Sequence, residues 1–391
     1  GYDLVIADEA WDIDHHWHEH PELKRAALAW FTDFVGFVPM PSGGDREAFL
    51  ATDYNAEMIE HVERHPGVRD RALFVGSPDD IAPLSFGHNL PTMRDWVARH
   101  FEFPGYIIGE HPRDFGSREE LRERFGYRPH ERVCIVTVGG SSVGASLIRR
   151  ILQSYPLARA RLPELRMILV VGPRIDPRSL PVPHGVEARA FVPDLDRYLA
   201  ACDLALVQGG LTTCMELTAA GTPFIYFPLQ NHFEQNFHVA HRLKRYGAGR
   251  HMEFATSTPE MIADAMVAAL NSRTQFTPVE ADGAARAARM IEDLKGTIDY
   301  HISGAGPTVV LVPGSCSTGA AWRPVTASWD GRFRCVTTSL LGYGGTVERR
   351  KPDDPAMAYE TEAVEAVGFS ASRWALPSNS VNEPRTLVTI A

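Results

Sequence analysis

The sequence predicts an α/β protein built around a doubly wound, mostly parallel sheet. Two observations carry this. Short apolar, partly β-branched runs recur at Cys134–Val138, Met167–Val171, Val186–Phe191, Leu204–Val207 and Phe224–Phe227. Apart from Val186–Phe191, which Glu187 and Arg189 interrupt, the runs are continuous rather than alternating, as expected of strands buried on both faces. Between and after them lie helical stretches at about 145–155, 194–201, 212–220, 235–245, 258–271 and 280–294. Strands alternating with helices build a parallel sheet covered on both sides, with its ligand beyond the carboxyl ends of the strands.

That sheet occupies the middle of three regions, about 105–295. The first region, 1–104, opens with a strand at Leu4–Ala7. A histidine- and acid-rich loop is expected from Asp12 to His20, then a helix from Pro21 to about Trp30, with proline at its first turn. Leu73–Gly76 reads as another short strand. The third region, 296–391, starts a new pattern with strands at Pro307–Gly314 and Phe333–Thr337, and from Gly368 no clear periodicity remains. The chain enters its first strand at once without a methionine, which predicts that an earlier piece precedes it.

The totals narrow the function. A length of 391 residues fits two or three domains, and 44% hydrophobic with 23% charged residues is globular composition. A net charge of −10 argues against nucleic acid as the main partner but leaves room for a local anion site. The five cysteines, Cys134, Cys202, Cys214, Cys316 and Cys335, are scattered and odd in number, which predicts reduced thiols in a cytoplasmic protein. No apolar run approaches the ~18 residues of a membrane span.

Three segments carry chemistry. In Val138-Gly139-Gly140-Ser141-Ser142-Val143-Gly144-Ala145 a strand runs through a glycine turn into a helix. Glycines allow close backbone approach and the helix start favours an anion, though such turns also serve packing alone. Leu206-Val207-Gln208-Gly209-Gly210-Leu211-Thr212-Thr213 repeats the device, with Glu216 one helical turn further on the same side. A carboxylate there suits two ribose hydroxyls beyond a phosphate; it suits a helix dipole as well. The third segment, Pro228 to Asn236, is dense in hydrogen-bonding side chains. It fits sugar hydroxyls, or a polar helix start with Asn231 as its cap.

On Gly210, Thr213, Glu216, Gly221, Pro223, Pro228 and the Glu234-Gln235 pair, the stretch Gln208–Gln235 resembles the donor-site signature of GT-B glycosyltransferases. Both the UDP-glycosyltransferase superfamily and glycosyltransferase family 28 share it. The likeness extends through Gly139–Ala145 and Phe191-Val192-Pro193-Asp194 to most of 105–295. It implies a GT-B-like fold, a nucleotide-sugar-binding domain preceded by a partial Rossmann-like domain. It further implies that Gly139, Gly140 and Ser141, beside Ser142, hold a diphosphate together with Gly210, Thr212 and Thr213, next to Gln208 and Gly209. Phe191 and Val192 would frame the base, Glu216 the ribose, and Glu234 and Gln235 the transferred sugar. The donor implied is UDP-linked and the acceptor a small-molecule or lipid-linked hydroxyl, with no metal or other cofactor required. Two departures stand out: Gln208 occupies a position where many UDP-glycosyltransferases have histidine, and the first glycine loop is one residue longer than the usual family 28 form.

Such enzymes usually draw a general base from the amino-terminal domain. Asp8, Glu9, Asp12 and Asp14 follow the opening strand and are the candidates there, Asp8, Asp12 and Asp14 foremost. His15, His16, His18 and His20 beside them match no closed metal site, and a polar loop lining a cleft is the expected role. Residues 304–367 resemble the first part of an α/β-hydrolase, through Pro313-Gly314-Ser315-Cys316-Ser317, Trp322-Arg323-Pro324 and Gly342-Tyr343-Gly344-Gly345. No histidine follows His301, so this segment lacks its own base and reads as an incomplete hydrolase piece. The rival readings are a UDP-sugar epimerase, a non-catalytic nucleotide-sugar-binding fragment, and an esterase.

Overall fold

The computed structural model describes residues 4–139, 144–172, 174–272, 274–292, 300–311 and 323–338. In chain order the elements are β1 (Leu4–Asp8), α1 (Trp11–Glu19), β2 (Ala27–Thr32), α2 (Gly44–Arg64), β3 (Arg71–Val75), α3 (Met93–His100), β4 (Glu102–Gly105) and α4 (Arg118–Arg124). There follow β5 (Arg132–Thr137), α5 (Ala145–Arg161), β6 (Leu165–Val170), β7 (Val186–Arg189), α6 (Leu195–Ala201), β8 (Leu204–Val207), α7 (Leu211–Ala220) and β9 (Phe224–Tyr226). The chain continues with α8 (Ala240–Tyr246), β10 (Arg250–His251), α9 (Pro259–Asn271), α10 (Gly283–Glu292), β11 (Tyr300–Ser303), β12 (Thr308–Leu311), α11 (Arg323–Ser328) and β13 (Arg334–Thr338). They form two compact units, one of residues 1–30, 64–71 and 289–391, the other of 31–63 and 72–288.

The larger unit holds the expected sheet. Its six strands lie in the order β10-β9-β8-β5-β6-β7, and every pairing is parallel. Apolar residues pack on both faces. Ile135, Ile168 and Ala205 belong to one core with α6 and α7, while Cys134, Val136 and Leu206 belong to another with α5 and α9. This two-sided burial is why β5, β6, β8 and β9 read as largely apolar runs, whereas the edge strands β7 and β10 carry Glu187, Arg189, Arg250 and His251. Chain order reverses between β5 and β8, which are hydrogen-bonded neighbours with Thr137 opposite Val207. Their carboxyl ends therefore meet at the topological switch point, where doubly wound sheets bind ligands. The same unit contains the parallel pair β3 and β4. Among the described residues no helix is long and apolar enough to cross a membrane.

The smaller unit corrects two expectations. Residues 11–19 form a helix rather than a loop, because Asp14 and His18, one turn apart, share a buried face. His18 Nδ1 lies 2.7 Å from the Asp14 carbonyl oxygen, and Arg69 binds the Asp14 carboxylate through Nε and Nη2 at 2.7 and 2.5 Å. The helix expected from Pro21 to Trp30 is instead a single 3-10 turn, Pro21–Leu23, followed by β2. Leu28, Ala29 and Trp30 are fully buried in that strand, and a short apolar run of this kind fits strand and helix equally by periodicity. Trp11 packs edge-on against Trp30 at 4.9 Å, and the Arg69 guanidinium sits 5.0 Å from the Trp30 ring.

Residues 300–338 of the same unit form a three-stranded sheet in which β13 pairs antiparallel with β11 and parallel with β12. The expected strands near 307–314 and 333–337 are these last two. Pro313–Ser317, Trp322 and Gly342–Gly345, on which most of the hydrolase likeness depends, lie outside the described residues.

Candidate donor site

The site grows from the carboxyl ends of three adjacent strands. After β8 come buried Gln208, then Gly209 and Gly210, and α7 starts at Leu211. Gly209 has φ +100°, a conformation that a side chain resists, and a Cβ there would lie 3.4 Å from the Tyr226 ring. Gly210 is the N-cap of α7 and supplies no side chain to its free amides. Those N–H groups, with Thr212 and Thr213 in the first turn, are available to an anion. Cys214, Met215, Leu217 and Thr218 anchor the helix in the core, and Gly221 ends it in the left-handed conformation.

Gly139 follows β5 beside this turn, with φ +77°. Gly140, Ser141 and Ser142 lie outside the described residues. Gly139 and the Gly209-Gly210 turn thus follow the two strands that meet at the switch point.

Glu216 is half-buried on α7. Burial foremost, and Asp196 in the first turn of α6 next, push its carboxyl up to about 7. It borders a shallow surface recess lined by Ile108, Gly109, Glu110, Phe115 and Asp196. Phe191 is 72% exposed, whereas Val192 is buried in the core, so Val192 has only its backbone to offer a base.

After β9 the chain turns through Pro228–Phe233 into a π-helical segment, Glu234–Val239, that continues as α8. Side chains brace the turn. Gln235 Oε1 accepts from Leu229 N at 2.9 Å, and Asn236 Nδ2 donates to the carbonyls of Leu229 and His232 at 2.7 and 2.8 Å. Gln235 therefore offers a ligand chiefly its Nε2 donors. Asn231 is no cap: the segment's N-cap is Phe233, and Asn231 Oδ1 accepts from the Ser42 hydroxyl at 3.0 Å. Glu234 is half-buried, and burial first and Asp33 second push it up to about 7. Buried His238 is held down to about 4 by burial, so it is neutral near pH 7, with Nε2 3.1 Å from the Gly36 carbonyl oxygen.

Of the acids in the smaller unit, Asp14 is committed to its buried ion pair with Arg69. Asp8 ends β1 and Asp12 lies in the first turn of α1, both exposed. The sequence reading missed Asp33, Asp196, His238 and Arg242. Asp33 was hidden because the run before it reads as helix; an apolar run ending in an acid is the signal that marks it.

A doubly wound sheet with glycine turns and a half-buried acid at its switch point is the arrangement of nucleotide-binding α/β domains. Residues 133–294 match the family model described as glycosyltransferase family 28 C-terminal domain. An uncharacterised glycosyltransferase of Methanopyrus kandleri is 26% identical over 196 residues, 50% of this chain and 54% of that protein. One from Methanosarcina mazei is 32% identical over 186 residues, 47% of this chain and 46% of the other. The UDP-N-acetylglucosamine–N-acetylmuramyl-(pentapeptide) pyrophosphoryl-undecaprenol N-acetylglucosamine transferase of Mycolicibacterium vanbaalenii is 31% identical over 262 residues, 64% of this chain and 61% of that one. The chain spans about half the length of the curated relatives it matches. Among solved structures, the glycotransferase of kitacinnamycin is 18% identical with a TM-score of 0.46, covering 75% of this chain and 71% of that one. The family match ends at residue 294, and these relatives lend no support to a hydrolase segment.

Proposed function

We propose that this chain carries the donor half of a glycosyltransferase that moves a sugar from a nucleotide sugar, UDP-linked, to the hydroxyl of a small-molecule or lipid-linked acceptor. The observation that carries the reading is that the open amide start of α7 with Glu216, and the segment that begins at Glu234, follow the neighbouring parallel strands β8 and β9. In it, the α7 amides with Thr212 and Thr213 receive the diphosphate and stabilise its charge as it departs. Glu216 accepts the ribose hydroxyls, and Glu234 with the Gln235 amide holds the sugar. The family model that matches 133–294 covers all of these residues. Buried, unpaired thiols at Cys134, Cys202 and Cys214 support a cytoplasmic setting.

Thermal shift against UDP, dTDP, GDP and ADP tests this. UDP is expected to raise the melting temperature most, and Glu216→Ala to abolish the gain while remaining folded. A wild type that no nucleotide stabilises would sink the reading and leave the glycine turns as packing devices.

A further inference from the structure

In the smaller unit, the helix that replaces the expected loop gives the histidines of 15–20 a fixed spacing. α1 turns His18 inward, where its Nδ1 meets the Asp14 carbonyl, and leaves His16 on the surface. His15 lies 3.4 Å from Glu19, one turn on. The chain leaves the helix through His20, its C-cap, whose backbone N–H donates to the His16 carbonyl. That bond spans one turn, so the two side chains share one side of the helix end. Their ring centroids are 5.0 Å apart, with the planes tilted by 57°. Among the described residues neither ring makes a hydrogen bond, so their nitrogens are open to a ligand.

The separation is that of two ligands on one ion. A zinc–nitrogen bond of ~2.1 Å puts the ion about 3.2 Å from each ring centre, and two such arms at a tetrahedral angle hold the centres about 5 Å apart. Glu22, in the 3-10 turn Pro21–Leu23, sets an oxygen 3.8 Å from His20 Nδ1. It is placed to orient that ring from behind, as outer carboxylates do for metal-binding histidines, with Nε2 left to face the ion. Asp12 lies one turn before His16, and the carbonyl end of a helix favours a cation.

We propose that His16 and His20 form a surface site for a late first-row divalent cation, zinc foremost, with Glu22 holding the His20 ring and water completing the coordination. Imidazole suits zinc, copper and nickel, whereas magnesium takes oxygen ligands and is not held. Two histidines four residues apart on one helix face are a known zinc-binding spacing. The ion ties the last turn of α1 to the residue that ends it, so its binding adds to the stability of the smaller unit. The site does not depend on the donor reading, and no step of sugar transfer passes through it.

The full chain, free of any affinity tag and dialysed against chelator, is titrated calorimetrically with zinc chloride and with magnesium chloride, and its melting is followed with each. Zinc should bind and raise the melting temperature, and magnesium should do neither. His16→Ala and His20→Ala should each lose one equivalent of zinc and the melting gain that goes with it. Both side chains are exposed, so the metal-free variants should melt as wild type does. Glu22→Gln should keep the stoichiometry and weaken zinc by ~10–100-fold, the range for a lost outer partner. NMR of the imidazole rings in wild type gives an answer that does not depend on how the variants fold: zinc should move the His16 and His20 signals together. Zinc that leaves those two signals in place would overturn the site. So would a full complement of zinc on both histidine variants, or no binding to wild type. Magnesium bound as tightly as zinc would make the ligands carboxylates and overturn it too.

Discussion

Glu216 and Glu234 are the residues on which the solution chemistry of the site turns. Both carboxyls are pushed up to about 7. A ribose diol donates its O–H groups, and an ionised carboxylate accepts them better than a neutral one. UDP should therefore bind more tightly as pH rises from 6 to 8, by up to roughly tenfold for one group titrating near 7. Calorimetric titration checks this, and Glu216→Gln should flatten the profile. Folding stability runs the other way. The folded value lies above the ordinary glutamate value, so the neutral form's contribution is complete below about 4.3 and is lost as pH rises through about 7. Relative to wild type, Glu216→Gln should thus gain melting temperature between pH 5 and pH 8. A parallel pair of curves would show that Glu216 is as solvated as any surface acid.

Among the elements, the π-helical segment Glu234–Val239 is the one whose departure from regularity has a visible task. A wider turn breaks the usual hydrogen-bond ladder and is common at functional sites. Here the turn before it is held by Gln235 and Asn236 instead. Asn236→Ala removes two bonds to carbonyls and should cost about 1–3 kcal/mol locally. UDP should then bind as before, while the extra affinity of UDP-glucose over UDP disappears; equal losses for both ligands would place the loop's effect on the nucleotide. β5, β6, β8 and β9 were legible in the sequence because strands buried on two faces need largely unbroken apolar runs. β2 was not, since Ala27–Thr32 is short, apolar and poor in β-branched residues, and only its neighbours make it a strand. The same ambiguity concealed Asp33. α1 was missed because its buried positions are Asp14 and His18, which no hydrophobic pattern marks.

At the scale of the whole molecule, the larger unit has a sheet with two cores, and the thiols report on both. Cys134 and Cys214 lie fully buried on opposite faces, and Cys202 is 2% exposed. Burial pushes the Cys202 thiol up to about 12 and raises the other two. A thiol reagent attacks the thiolate, so in native buffer these three should label only through unfolding, and rapidly once denaturant is added. Peptide mapping of the labelled protein distinguishes them. Fast native labelling at Cys214 would mean that α7, and the amide cluster it presents, opens freely. The switch point was readable from strand order only as a location; Gly139 and Gly209 were legible there because backbone conformation demands glycine. Asp196 was not, since its effect on Glu216 arises from packing of α6 on α7.

Arg242 grips carbonyl oxygens at Asp33 and Val75, and carbonyl oxygens are common to every residue type. The clamp is therefore indifferent to which side chains the two segments carry. Evolution, or a protein engineer, can rewrite those segments to suit a new acceptor while the backbone stays on its rails. The guanidinium itself has no such freedom: lysine, with one ammonium in place of a planar fork, cannot hold both rails at once. Variation in this part of the molecule should accordingly gather around a single unvarying arginine.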